Sequence, residues 1–108
     1  MVDAAVIKAI KQYLQEVRKA GIQASRAILI GSHAKGQGQP DSDIDLLVIA
    51  REFDPCPDRV LVARLWRARV SADSRIEPIA VGEQQWLKDN SSILIEIARR
   101  EGVEILTP

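Results

Sequence analysis

Apolar residues recur along the chain at two different spacings, and the spacing predicts which segments are helices and which are strands. In the first twenty residues they fall three or four apart, which is typical of an amphipathic helix. These positions are Val6, Ile7, Ile10, Leu14 and Val17. Asp3 stands where an N-cap belongs and Gly21 where a helix stops. The pattern therefore predicts a first helix between these two residues.

Segments rich in aliphatic residues predict three strands, the first of them buried and the second buried at its far end. The first covers residues 27–30 and ends at the pair Gly31-Ser32, and the second covers residues 43–49 and is expected to be central in a sheet. The third covers residues 75–81 and contains Pro78. Because proline has no amide donor, we expect this strand to lie at an edge or to contain a bulge.

The remaining segments complete a small domain. Asp58 is positioned to cap a helix to about residue 70. Further helices are predicted over residues 83–88 and 92–100, with a short strand over 103–106. The order predicts an α/β (α+β) fold in which helices flank a small mixed β-sheet. The length of 108 residues fits a single domain over residues 1–108.

Composition narrows the class of protein. Lysine plus arginine and aspartate plus glutamate both number 15, so the charge balance carries no strong nucleic-acid signal. No apolar run approaches the length of a membrane span. A single cysteine, Cys56, suits a reducing compartment, and we expect a cytoplasmic protein.

One polar stretch, residues 31–45, holds the residues with the clearest chemistry. Gly31-Ser32 follows a strand where a helix could start, so backbone amides and a hydroxyl are available to an anion such as phosphate. Asp43 and Asp45 are two apart on a predicted strand, which puts both carboxylates on one side. Adjacent carboxylates near a phosphate suit Mg²⁺.

This stretch resembles the signature of the DNA polymerase beta-like nucleotidyltransferase superfamily: glycine-serine, ten intervening residues, then aspartate-x-aspartate in a hydrophobic strand. The run from Asp41 to Val48 resembles the minimal branch, which is often paired with a HEPN-domain protein. The resemblance covers nearly the whole chain. It implies the polymerase beta-like fold and a magnesium-dependent enzyme that transfers a nucleoside monophosphate, AMP from ATP.

The resemblance also implies roles for individual residues. Asp43 and Asp45 would bind two Mg²⁺ ions, and Glu77 is the candidate third carboxylate for the catalytic ion. Glu77 departs from the family, which more often has aspartate there, and Asp73 and Glu83 are the fallbacks at the two ends of that strand. A looser geometry or a weaker activity would follow from the longer side chain.

Four further residues are candidates for contact with the nucleotide. Gly31 and Ser32 would hold the outer phosphates, and Lys35 and Arg75 would steady the triphosphate. His33, the single histidine, is expected to be a loop residue beside the nucleotide rather than an acid or base.

The acceptor is expected to be a partner protein, because the chain leaves no room for an acceptor-binding domain. By resemblance the partner is a HEPN-domain ribonuclease toxin that is adenylylated on a tyrosine and silenced, which would make this chain the antitoxin. Two alternatives stay open. One is a catalytically weak, nucleotide-binding antitoxin or sensor that acts by contact, and the other is an enzyme that modifies a small molecule. A homo- or hetero-oligomer also stays open.

Overall fold

The structure, a computed structural model, describes residues 1–107. They form helices α1 to α4 and strands β1 to β4. In chain order these are α1 Ala4–Lys19, β1 Ala24–Ile30, β2 Ile44–Ala50, α2 Arg59–Ala68, β3 Ile76–Gly82, α3 Glu83–Lys88, α4 Ile93–Glu101 and β4 Val103–Ile105. The predicted elements are all present. Some bounds differ: β1 begins three residues earlier than predicted, and β2 begins at Ile44, so that Asp43 lies just before the strand.

The four strands form one mixed sheet in the order β3-β2-β1-β4. β2 pairs antiparallel with β1 and parallel with β3, and β4 pairs antiparallel with β1. The central position predicted for β2 is confirmed. Pro78 lies on β3, an edge strand, so its missing amide hydrogen costs no hydrogen bond inside the sheet.

Helices cover both faces of the sheet. Ile44, Leu46 and Val48 pack into a core with α1 and α2, whereas Leu47 and Ile49 pack with residues of α4 on the other face. Side chains alternate along a strand, so Asp45 shares the α4 face with Leu47 and Ile49. The predicted fold class, a small mixed sheet flanked by helices, is confirmed.

Helix caps explain where three of the helices begin. The carboxylate of Asp3 accepts a hydrogen bond from the Ala5 amide at 2.8 Å, and that of Asp58 accepts one from the Val60 amide at 2.7 Å. Ser92 caps α4 in the same way. Each such cap stabilises its helix by about 1 kcal/mol, so the ends predicted from the sequence have a physical cause.

Candidate active site

The register of the sheet brings three sequence-distant residues side by side. Asp45 on β2 lies opposite Ile30, the last residue of β1, and opposite Glu77 on β3. Neighbours in register project to the same face, so Glu77 lies on the Asp45 side of the sheet. Gly31, Asp43, Asp45 and Glu77 therefore lie near the same end of strands β1, β2 and β3.

Gly31 allows the chain to leave β1 directly over the Asp45 carboxylate. Its φ of +80° and ψ of −158° belong to a region that is open essentially only to glycine. A Cβ atom at this position would stand 3.0 Å from Asp45 Oδ2. The missing side chain thus leaves room for the carboxylate and brings the backbone of the turn next to it.

The electrostatics of Asp45 are those of an uncompensated carboxylate. Burial raises its pKa above the ordinary value, the neighbouring Asp43 raises it further, and His33 opposes the rise. Neither Asp43 nor Asp45 takes part in an ion pair among residues 1–107. The pair has the charge and the oxygen donors that attract a cation.

Glu77, the candidate third carboxylate, does not converge with Asp43 and Asp45. Within the described part of the chain, no three His, Cys, Asp or Glu side chains converge as a ready metal site. Glu77 is half-buried beside Asp45, and its side chain would have to turn to join the pair. The fallbacks lie elsewhere, because Asp73 binds Arg75 and Glu83 begins α3 at the far end of β3.

The donor set nevertheless fits magnesium. Mg²⁺ binds through one or two carboxylates and completes its shell with water and substrate phosphates. Asp43 and Asp45 provide two carboxylates whose mutual repulsion a cation would relieve. Glu77, opposite Asp45 on β3, offers a further carboxylate.

The segment after Gly31 forms a 3₁₀ helix, Ser32–Lys35, rather than an α-helix. Ser32 and Lys35 are both exposed, at its two ends. The Gly31 carbonyl accepts the Ala34 amide at 3.2 Å, and the Ser32 carbonyl accepts the Gln37 amide at 2.9 Å, which fixes the turn. The Ser32 hydroxyl and the Lys35 ammonium are thus free to contact an anion beside the carboxylates.

His33 packs inside the loop that follows. It is 6% exposed, and its Nε2 lies 3.2 Å from the Ser42 carbonyl oxygen. Gly38 lies against the imidazole, since a Cβ there would approach Nδ1 to 2.2 Å. His33 thus joins the 3₁₀ helix to the residue before Asp43, and this internal contact was not predicted.

Arg75, the residue before β3, contacts the same loop. Its Nη1 donates to the Pro40 carbonyl oxygen at 2.8 Å, and its Nη2 lies 2.7 Å from Asp73 Oδ2. The Asp73 pKa is lowered chiefly by this side-chain hydrogen bond from Arg75. These contacts occupy Nη1 and Nη2 of the guanidinium that was predicted to steady a triphosphate.

Sequence reasoning could have found only part of this arrangement. An aspartate side chain in a turn often accepts a hydrogen bond from the backbone amide two residues further on. The Arg75 amide does donate to Asp73 Oδ1, at 2.9 Å. The bond to Pro40, 35 residues away, depends on the parallel pairing of β2 and β3 and leaves no local signature.

A family model for the nucleotidyltransferase domain matches residues 7–100, and the chain belongs to this family. Its fold is similar to that of a Sulfolobus solfataricus protein described as a nucleotidyltransferase (TM-score 0.60, 16% identity, 91% of this chain and 77% of that one). It is also similar to a chain of a toxin–antitoxin crystal structure containing AMP-PNP (TM-score 0.64, 19% identity, 94% of this chain and 73% of that one). At these identities the likeness concerns the fold. No curated protein matches the sequence.

Among residues 1–107, none of the helices combines the length and the apolar character needed to cross a membrane.

Proposed function

We propose that this nucleotidyltransferase domain moves AMP from ATP to a hydroxyl of a partner protein, with magnesium, and that the partner is a HEPN-domain toxin. The proposal is supported above all by the register that aligns Ile30, Asp45 and Glu77, because the turn after β1, which would bind phosphate, then adjoins the carboxylates. The toxin–antitoxin neighbour with AMP-PNP supports a nucleotide and a partner of this kind.

The chain's own residues would divide the work as follows. The Gly31 amide and the Ser32 hydroxyl would hold the outer phosphates, and Lys35 would neutralise part of their charge. Asp43 and Asp45 would hold magnesium, with Glu77 turning in as a third ligand. Two bound Mg²⁺ ions would supply charge neutralisation at the reacting phosphate and the leaving group.

The reaction forms one bond and breaks one. The acceptor oxygen bonds to the α-phosphorus of ATP, the bond from that phosphorus to the bridging oxygen breaks, and pyrophosphate leaves. Glu77 would accept the hydroxyl proton, because it lies beside Asp45, a proposed metal ligand, in the register of the sheet. Positioning and electrostatics would account for most of the acceleration.

The direct experiment uses ATP labelled at the α-phosphate, Mg²⁺, and a HEPN-domain protein as the candidate partner. We expect label on the partner with the parent and none with the variant that combines Asp43→Asn and Asp45→Asn. The variant should remain folded, because Asp43 is exposed, Asp45 is only half-buried, and removing their repulsion costs no packing. Equal labelling by parent and variant would refute the mechanism.

The contact-only antitoxin is the alternative that one observation favours. The described residues show no converged set of three carboxylates, as expected of a weak metal site. A parent protein that inhibits the partner at equal stoichiometry without labelling it would select this alternative. Labelling of a small hydroxyl compound in place of the protein would select a small-molecule enzyme.

A further inference from the structure

Arg75 contacts the chain on both sides of Asp43. Its guanidinium donates from Nη1 to the carbonyl of Pro40, three residues before Asp43, at 2.8 Å. Its backbone carbonyl accepts the amide of Ile44, one residue after Asp43, at 2.9 Å. Only residues 41–43 lie between these two anchor points.

Asp73 fixes the orientation of the guanidinium. Nε lies 3.0 Å from Asp73 Oδ1 and Nη2 lies 2.7 Å from Oδ2, so the carboxylate binds the fork of donors. The side chains of Arg75 and Asp73 are 29% and 18% exposed, so water screens this pair less than a surface pair. Nη1 is thereby aimed at Pro40.

We propose that Arg75, oriented by Asp73, is a positioning residue that fixes the Asp43 carboxylate beside Asp45. Asp43 precedes β2, so the hydrogen bonds of the sheet do not hold its backbone, and its charge is repelled by Asp45. A loop under such repulsion needs a restraint, and Arg75 provides it. The inference rests on the proposed function, because it assigns a task within that same site.

Three variants and a control test this proposal. Arg75→Ala removes the contact, Arg75→Lys keeps the charge but lacks the planar fork, and Asp73→Asn weakens the orienting bond. Arg69→Ala is the matched control, since Arg69 also donates to a backbone carbonyl, that of Ser74 at 2.7 Å, but shows no hydrogen bond to the loop.

Three readouts apply to each variant: kcat and KM for ATP, Mn²⁺ affinity with a non-hydrolysable ATP analogue, and amide hydrogen exchange of residues 41–44. For Arg75→Ala we expect kcat and Mn²⁺ affinity each to fall about 10–100-fold, as when a group supporting a metal ligand is removed. The KM for ATP should stay nearly constant, and exchange of residues 41–44 should increase.

Arg75→Lys should resemble Arg75→Ala, and Arg69→Ala should resemble the parent. Adding Asp73→Asn to Arg75→Ala should cause no further loss of kcat or Mn²⁺ affinity, since both changes act on the same contact between Arg75 and Asp73. Full recovery of kcat by Arg75→Lys, or a rise in KM for ATP alone after Arg75→Ala, would overturn the proposal in favour of phosphate binding.

If Arg75→Ala leaves both the Mn²⁺ affinity and the amide hydrogen exchange of residues 41–44 unchanged, the proposal that Arg75 positions Asp43 is wrong. If the parent transfers no nucleotide, the proposed function fails, whereas Mn²⁺ affinity and exchange still decide whether Arg75 positions Asp43.

Discussion

Two aspartates near the same loop have opposite electrostatic environments. Asp73 is bound by Arg75, and the side-chain hydrogen bond from that arginine is the main reason that its pKa lies below the ordinary value. Asp45 forms no ion pair within residues 1–107, and burial together with the charge of Asp43 raises its pKa. The two carboxylates belong to one small region but differ in whether their charge is compensated.

The difference separates a structural carboxylate from a candidate catalytic one. The Asp73 carboxylate needs no ligand to compensate its charge, because the Arg75 guanidinium forms an ion pair with it. Asp45 faces another carboxylate, an arrangement that costs free energy unless a cation is bound. Carboxylates with perturbed pKa values in such a setting are candidates for function. The experiments below change one side of the comparison at a time.

The largest expected effect concerns Glu77. Glu77→Gln keeps the shape but removes the charge, and we expect transfer to fall about 10²–10³-fold, the range for removing one electrostatic group from an active site. Glu77→Asp should retain activity if the shorter side chain reaches the site. Partner adenylylation by mass spectrometry and partner affinity by calorimetry are measured together.

The control for this prediction is Glu83→Gln, which changes a carboxylate at the opposite end of β3. Affinity for the partner should be unchanged in all three variants. Transfer by Glu77→Gln at the parental rate would exclude Glu77 as a ligand.

Ser32→Ala tests the other component of the site. We expect a loss in the use of ATP of about tenfold to a hundredfold, which corresponds to about 1.5–3 kcal/mol for a hydrogen bond to a charged group. Binding of adenosine, which has no phosphates, should be unchanged. An equal loss for adenosine would contradict the role of Ser32 in phosphate binding.

Gly31→Ala tests the close approach of the backbone to Asp45, and Gly21→Ala is its control. Both glycines have positive φ, +80° and +90°, but only at Gly31 would a Cβ meet Asp45 Oδ2, whereas Gly21 has no atom within 4 Å. Each change should destabilise the fold, by about 1–3 kcal/mol for strained backbone. Urea unfolding and transfer assays are measured on both variants.

Only Gly31→Ala should also reduce transfer, by about tenfold, since displacement of a catalytic group by about 1 Å costs up to about 10²-fold. A similar loss of transfer in Gly21→Ala would assign the effect to stability alone.

The smallest expected effect is on stability at neutral pH. Because the Asp73 pKa is lowered in the folded state, the carboxylate stabilises the fold above its ordinary pKa of 3.8, and this contribution is lost as the pH falls through the folded value. Asp73→Asn should cost about 0.5–1 kcal/mol at pH 7 and lower Tm by about 2–8 °C. Calorimetry from pH 7 to pH 3 should show the difference shrinking below about pH 4. A constant difference would contradict the ion-pair origin.

The fold was largely predictable because its elements have strong local signals. Asp3, Asp58 and Ser92 begin helices through side-chain caps, which depend on a few neighbouring residues. The edge position of Pro78 followed from the chemistry of proline. The first bound of β2 was off by one residue, because Asp43 and Asp45 alternate with Ile44 as in a strand, while the backbone of Asp43 belongs to the loop.

The candidate site was predictable only where it is local. Gly31 and Asp45 are found from their spacing, and the register confirms that they meet. The restraint on Asp43 was not predictable, because it depends on Arg75, 32 residues further along the chain, and on the turn of its guanidinium toward Pro40. The role of Glu77 stays a prediction, since register alone does not orient a glutamate side chain.

Asp45 carries a charge that no ion pair among residues 1–107 compensates, and we expect AMP transfer to require this charge. The most direct test measures the Tm and the transfer activity of Asp45→Asn in the same preparation at pH 7. Because the Asp45 pKa is raised, its charged form destabilises the fold above that pKa, and removing the charge should raise Tm without metal. We expect a higher Tm together with loss of AMP transfer. A lower Tm with transfer retained would contradict the account.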